Sequence, residues 1–159
     1  MANENEAAAA QEKQVGIQRV YLKDCSFEAP GTPDVFNTEW KPHIHLNVST
    51  NHDKLDGASG EAGDVYDVTL TVEVRAELNE KVAFLCEVKQ SGLFLLRGLN
   101  DQELAQVMAI FCPTQLFPYA REVVSDLIAK GGFPAMTLQP INFEAMVAQR
   151  QQQMAAEAH

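Results

Sequence analysis

With 159 residues, 46% hydrophobic and 21% charged, the chain has the size and composition of one globular domain, and no room for a second catalytic one. Twenty-two acids against twelve bases give a formal charge of −10, which opposes a nucleic-acid ligand, because that binding draws its affinity from Lys and Arg neutralising phosphates. No stretch approaches the roughly 18 consecutive apolar residues that a membrane-spanning helix requires.

Met1 to Gln14 is polar and alanine-rich, with Lys13 its only base. It lacks the positive flank and apolar run of a secretory signal, so the chain is expected to stay in the cytoplasm, and with no apolar face the segment reads as a loose tail. The domain is expected over residues 15–148, followed by a flexible polar tail over 149–159. Val15 to Phe27 is compatible with a strand. Pro30-Gly31-Thr32-Pro33 ends it, and the long loop to Pro42 carries Phe36 and Trp40, whose rings require an apolar seat.

Ile44, Leu46 and Val48 alternate with His45 and Asn47, the pattern of a strand covered on one side. A polar, glycine-bearing connection is expected from Asn51 to Asp64. Then Tyr66, Val68, Leu70, Val72, Val74, Ala76 and Leu78 face one way, and Asp67, Thr69, Thr71, Glu73, Arg75 and Glu77 the other. Asn79-Glu80 can turn the chain into a further strand, with Val82, Phe84, Cys86 and Val88 opposed by Ala83, Leu85, Glu87 and Lys89. Leu85 falls on the otherwise polar side and Leu93 to Leu96 is continuously apolar, so both faces of this strand need cover, from a helix or from another subunit. Four antiparallel strands are the natural total.

The period then changes. Asn100 with Glu103 offers a reciprocal cap, and Leu104, Val107, Met108 and Phe111 recur at helical spacing. Pro113 is expected to interrupt this helix and Pro118 to begin a second, whose stripe of Ala120, Val124 and Ile128 beside Tyr119, Val123 and Leu127 ends at Gly131-Gly132. Phe133 to Pro140 is an apolar, proline-bounded link, and a last helix runs from about Asn142 through Phe143, Met146 and Val147. Strands followed by helices make an α+β domain.

Candidate chemistry is sparse. His43 and His45 share a strand face, but no CxxC or HExxH accompanies them, and no metal is expected. The odd number of cysteines, Cys25, Cys86 and Cys112, fits buried thiols in a reducing compartment, with no histidine beside them in sequence to make a nucleophile. Gly57, Gly60 and Gly63 precede a strand instead of joining strand to helix, so they build no phosphate cradle. Neither an enzyme nor a cofactor is expected. Two features remain. Nine acids against Lys41 and Lys54 lie between Asp24 and Asp67, either a solvated surface or a docking face for a basic partner. Apolar side chains also gather beside chain breakers: Phe36, Trp40, Phe111, Phe117, Phe133, Met136 and Leu138. They either close local cores or line a channel for extended hydrophobic polypeptide. An oligomeric small-molecule-binding or adaptor protein is the alternative.

Four separated blocks carry a resemblance. Ile17-Gln18-Arg19-Val20-Tyr21 with Lys23-Asp24-Cys25-Ser26-Phe27-Glu28-Ala29-Pro30, then Ala83-Phe84-Leu85-Cys86-Glu87-Val88, then Cys112-Pro113 with Leu116-Phe117-Pro118-Tyr119-Ala120-Arg121-Glu122, and finally Gly132-Phe133-Pro134 with Pro140-Ile141-Asn142-Phe143 closely resemble the SecB family of bacterial preprotein-export chaperones. The resemblance implies an ATP-independent holdase that binds unfolded precursor polypeptides and passes them to the export ATPase SecA. It also implies a four-stranded antiparallel sheet with two helices packed on one side, assembled as a dimer of dimers into a homotetramer. Within the matching blocks, Asp24, Glu28, Leu85 and Glu87 correspond to the SecA-contact surface, and Cys86, Val88 and Gln90 to positions associated with assembly. The Pro30–Pro42 loop and the Phe133–Pro140 link would border the client groove, with Phe36, Trp40, Phe117, Phe133, Met136 and Leu138 as client contacts. His43 and His45 have no counterpart role, and the Asn51–Gly63 loop and both tails depart from the pattern.

Overall fold

The alternation centred on Val72 becomes the middle of a sheet. A computed structural model describes residues 12–57, 60 and 62–158; residues 1–11 of the expected N-terminal tail, and Ala58, Ser59 and Glu61 of the glycine-bearing connection, lie outside the described residues. Four strands, β1 (Gln14–Glu28), β2 (His43–Lys54), β3 (Asp64–Leu78) and β4 (Lys81–Arg97), pair antiparallel in the order β1-β4-β3-β2. Val68, Leu70, Val72, Val74 and Ala76 of β3 are fully buried, while the polar set between them stays half-buried on the opposite face. The β3–β4 hairpin turns at Asn79 and Glu80, both with left-handed backbones (φ 52° and 65°), matching the right-handed twist of the strands it joins.

β2 departs from expectation twice. It continues through Asn51 to Lys54, which pairs with Tyr66, because the long neighbour β3 offers a ladder beyond the apolar run. Ile44 and Leu46 were expected to be covered but are 39% and 45% exposed. β2 is an edge strand, and the helix layer lies over β3 and β4.

That layer begins with α1 (Asp101–Gln106), capped by Asn100: its Oδ1 accepts the Glu103 N–H at 2.8 Å, and Glu103 Oε1 accepts the Asn100 N–H at 3.4 Å. The expected break at Pro113 and restart at Pro118 do not occur. α1 runs through a π-helical segment (Val107–Phe111) directly into α2 (Cys112–Lys130), which contains both prolines. The wider turn, in which the Cys112 N–H bonds the Val107 carbonyl, is where Pro113 is accommodated. Pro118 leaves the Thr114 carbonyl without its helical donor, but both residues lie on the solvent side, where water can serve.

Leu116, Ala120, Val124 and Ile128 of α2 are fully buried on the sheet. α2 comes close over Gly92, where a Cβ would lie 3.0 Å from the Leu116 side chain. α2 ends at the expected glycines. After the link, α3 (Phe143–Glu157) starts on an Asn142 cap, whose side chain accepts the Ala145 N–H at 3.0 Å, and keeps helical geometry with exposed side chains through the stretch expected to be a flexible tail. The result is an α+β fold, a four-stranded antiparallel sheet with two helical bodies on one side.

Candidate binding surfaces

Strand register decides which charges meet. Across the β1–β4 ladder Asp24 stands opposite Lys89, Ser26 opposite Glu87 and Glu28 opposite Leu85; across β4–β3, Leu85 meets Arg75 and Glu87 meets Glu73. Their sequence neighbours Phe27, Cys86 and Val88 point into the core, so all four residues matched to SecA contact share the face turned away from α2. The direct Glu73–Glu87 opposition is unfavourable by itself and makes this end of the face acidic, with Arg75 and Lys89 alongside. Among the described residues, Asp24, Glu28 and Glu87 belong to no ion pair. Leu85 is half-buried among them.

Toward the other end the same face is internally bonded. The Tyr21 hydroxyl donates to Asp67 Oδ1 at 2.7 Å, Lys23 Nζ donates to Asp67 Oδ2 at 3.2 Å, and Thr69 and Ser91 hydroxyls meet at 2.7 Å. Burial, with the bond to Asp67, raises the Tyr21 pKa, and the hydrogen bond to Asp67 raises that of Lys23. Asp67 is thus engaged, whereas the carboxylates around Leu85 are available. His45 Nε2 lies 3.4 Å from Glu77 Oε2. Among the described residues no group of three His, Cys, Asp or Glu side chains is placed to hold a metal ion.

On the helix side, the chain breakers bring aromatic rings together. Phe133 follows Gly132, whose φ of 84° turns the chain out of α2, and its N–H bonds the Ile128 carbonyl at 3.3 Å. Its ring lies 5.0 Å from Phe84, 5.2 Å from Trp40 and 5.3 Å from Phe36. A 3₁₀ turn (Asp34–Asn37), held by the Val35 N–H on the Gly31 carbonyl at 2.9 Å, presents Phe36, which is 51% exposed. The link itself is tied to α2 by the Ser125 hydroxyl, which donates to the Met136 carbonyl at 2.8 Å; Leu138 is buried and Met136 half-buried.

Three of the expected client contacts, Phe36, Trp40 and Phe133, therefore form one cluster. Phe117 does not join it. Its ring meets Phe143 at 6.2 Å with the Arg121 guanidinium 5.8 Å from its centroid, so it ties α2 to α3. Phe27 and Phe84, 5.6 Å apart, floor the cluster and were read only as strand residues. The signal was present, since both lie on core-facing positions of strands that pair, but using it required knowing that β1 and β4 are neighbours. Cys86, Val88 and Gln90 lie beneath the helix layer, fully or almost fully buried within the chain, and Gln90 Oε1 has no hydrogen-bond partner.

The sheet face turned away from α2 and an aromatic cluster from which Phe36 is half exposed lie on opposite sides of an α+β frame. The sequence pattern of the family described as "Preprotein translocase subunit SecB" matches residues 8–154. Proteins named "Protein-export protein SecB" are 46% identical in Halorhodospira halophila (92% of this chain, 81% of that one), 42% in Azotobacter vinelandii (98% and 93%) and 47% in Alcanivorax borkumensis (95% and 94%). Among solved structures, a Mycobacterium tuberculosis SecB-like chaperone in complex with an antitoxin peptide shares the fold, with a TM-score of 0.63 at 19% identity over 86% of this chain and 91% of that one. The chain belongs to the SecB family of protein-export chaperones. Among the described residues, no helix is long and apolar enough to cross a membrane.

Proposed function

We propose that the chain is an ATP-independent holdase of the cytoplasm, which binds precursor polypeptides before they fold and delivers them to SecA, acting as a homotetramer built as a dimer of dimers. The observation that carries this reading is the Phe36–Trp40–Phe133 cluster, in which Phe36 is half open to solvent. An unfolded client exposes apolar side chains, and each Å² it buries contributes about 25 cal/mol, offset by ordering of the chain. Shallow seats of this kind give broad specificity, and four copies on one assembly make rebinding effectively intramolecular. The M. tuberculosis relative, seen with a bound peptide, supports polypeptide as the ligand class.

SecA docks, in this reading, on the uncovered sheet face through Asp24, Glu28, Leu85 and Glu87. The carboxylates steer a basic partner and Leu85 supplies apolar contact. Cys86, Val88 and Gln90 influence assembly indirectly, through the seating of α2 on the sheet. Light scattering with a reduced, destabilised precursor tests the whole. The expected result is an assembly of about 70 kDa, four chains of 17.5 kDa, that captures the unfolded precursor and ignores the same precursor once folded. A stable oligomer that captures neither form would overturn the holdase reading.

A further inference from the structure

Strand register draws one straight row across the acidic end of the sheet. His45 of β2 pairs with Arg75 of β3, Arg75 with Leu85 of β4, and Leu85 with Glu28 of β1. His43, two residues before His45, stands opposite Glu77 on the same face. Both imidazoles are exposed, and β2 is an edge strand, so no further strand faces them from the other side.

Glu77 links the histidines to the row. Its Oε1 lies 3.2 Å from Arg75 Nη2 and its Oε2 lies 3.4 Å from His45 Nε2. With His45 neutral, Glu77 and Arg75 cancel. With His45 charged, each carboxylate oxygen has its own cation, and the group of three carries a positive charge.

The other charges facing the histidines can be taken strand by strand. β3 adds Glu73, β4 adds Glu87 and Lys89, and β1 adds Asp24 and Glu28. Beyond this end, Glu39 pairs with Lys41 at 3.2 Å, Glu80 and Lys81 adjoin in the β3–β4 turn, and Lys23 holds Asp67 at 3.2 Å, so none of these shifts the sum. Five acids against two bases leave the face at −3 while the histidines are neutral and at −1 once both are charged. Imidazole is the side chain that ordinarily changes charge between pH 5 and 8. His45 is two strand spacings, about 10 Å, from Leu85, which is about one Debye length at 0.1 M salt, so a partner seated on Leu85 feels the change at low ionic strength.

We propose that His43 and His45 couple docking on this face to protonation: a basic partner binds while the imidazoles are neutral and is loosened as they charge. The inference rests on the reading of this face as the SecA dock and adds a control to it.

Calorimetric titration of SecA into the full chain, in low salt at about pH 8 and about pH 5.8, tests it against the His43→Gln, His45→Gln double variant. Groups that titrate on SecA are common to both chains, so the difference between them isolates the histidines. Between the two pH values the dissociation constant of the parent should rise about fivefold or more beyond that of the variant. Thermal melts at both pH values confirm that parent and variant are folded. An equal pH dependence in the two chains would overturn the proposal. Asp24→Lys with Glu28→Lys, measured at the higher pH, tells the two failures apart: unchanged SecA affinity there overturns the dock itself, whereas lost affinity there with equal pH dependence overturns only the coupling to the histidines.

Discussion

Leu85 stands in register with Glu28 across the β1–β4 ladder, on the sheet face turned away from α2. An apolar side chain kept half-buried among free carboxylates is costly to leave without use, and it gives the acidic surface a centre. Replacing Asp24 and Glu28 together by lysine is expected to raise the dissociation constant for SecA at least tenfold in isothermal titration, most of it through slower association, as for charges at an interface rim. Leu85→Glu should weaken the complex similarly by removing apolar contact. Assembly mass and capture of unfolded precursor should stay as in the parent. Unchanged SecA affinity in both variants would remove this face from the account.

Phe36 and Phe84 belong to one ring cluster but answer to different tests. Phe36 is half exposed, so Phe36→Ala is expected to change stability by no more than about 0.5 kcal/mol while weakening capture of unfolded precursor severalfold. Phe84 is fully buried, and Phe84→Ala should cost about 3–5 kcal/mol in urea unfolding. Equal stability losses at both positions would make Phe36 ordinary core.

At the end of α2, Gly131 holds a helical backbone, so the need for glycine there is spatial, not conformational. A Cβ would run into the Phe27 ring, which is wedged between Phe84 and Phe133. Gly131→Ala should cost about 1–3 kcal/mol by overpacking, and Phe27→Leu in the same chain should recover part of that loss. Urea midpoints of the two variants and the double variant decide it.

The buried thiols predict a pH profile. Burial pushes the Cys86 pKa up to about 11 and that of Cys112 to about 12, from an ordinary value of 9.0. A pKa raised in the folded state means that the folded chain holds the proton more tightly, so this stabilisation is complete below pH 9 and is lost as the pH rises through 11 and 12. Unfolding midpoints should fall from pH 9 upward, and less steeply in Cys112→Ala than in the parent. A thiol reagent at neutral pH should modify the exposed Cys25 quickly and the other two only on unfolding.

Where burial followed a simple period, the sequence could be read directly. Val68 to Ala76 alternates because one face of β3 meets helices and the other does not, and the Asn100–Glu103 cap is a local chemical pair. The errors arose where a neighbour overrode local preference. Pro113 and Pro118 are helix breakers in isolation, but a π-helical turn and a solvent-facing carbonyl absorb them within one body. Ile44 and Leu46 have the pattern of covered residues, yet cover depends on where α2 lies, which β2 itself does not encode. Asp24, Glu28, Leu85 and Glu87 came from resemblance, and only the register places them together. Phe117 was read beside a helix interruption, and its ring turns to Phe143, because proximity to a proline says nothing about direction.

β1 and β3 each have 15 residues, and at about 3.4 Å per residue they extend about 50 Å, across four strands spaced about 4.8 Å apart. One chain therefore offers a bare plate of about 800 Å², which is about what a single partner contributes to a protein–protein interface of standard size. A partner that used the whole plate would leave no space for a second on the same chain. For such a partner, the length of the strands limits docking to one per protomer, before any side chain chooses whom to admit.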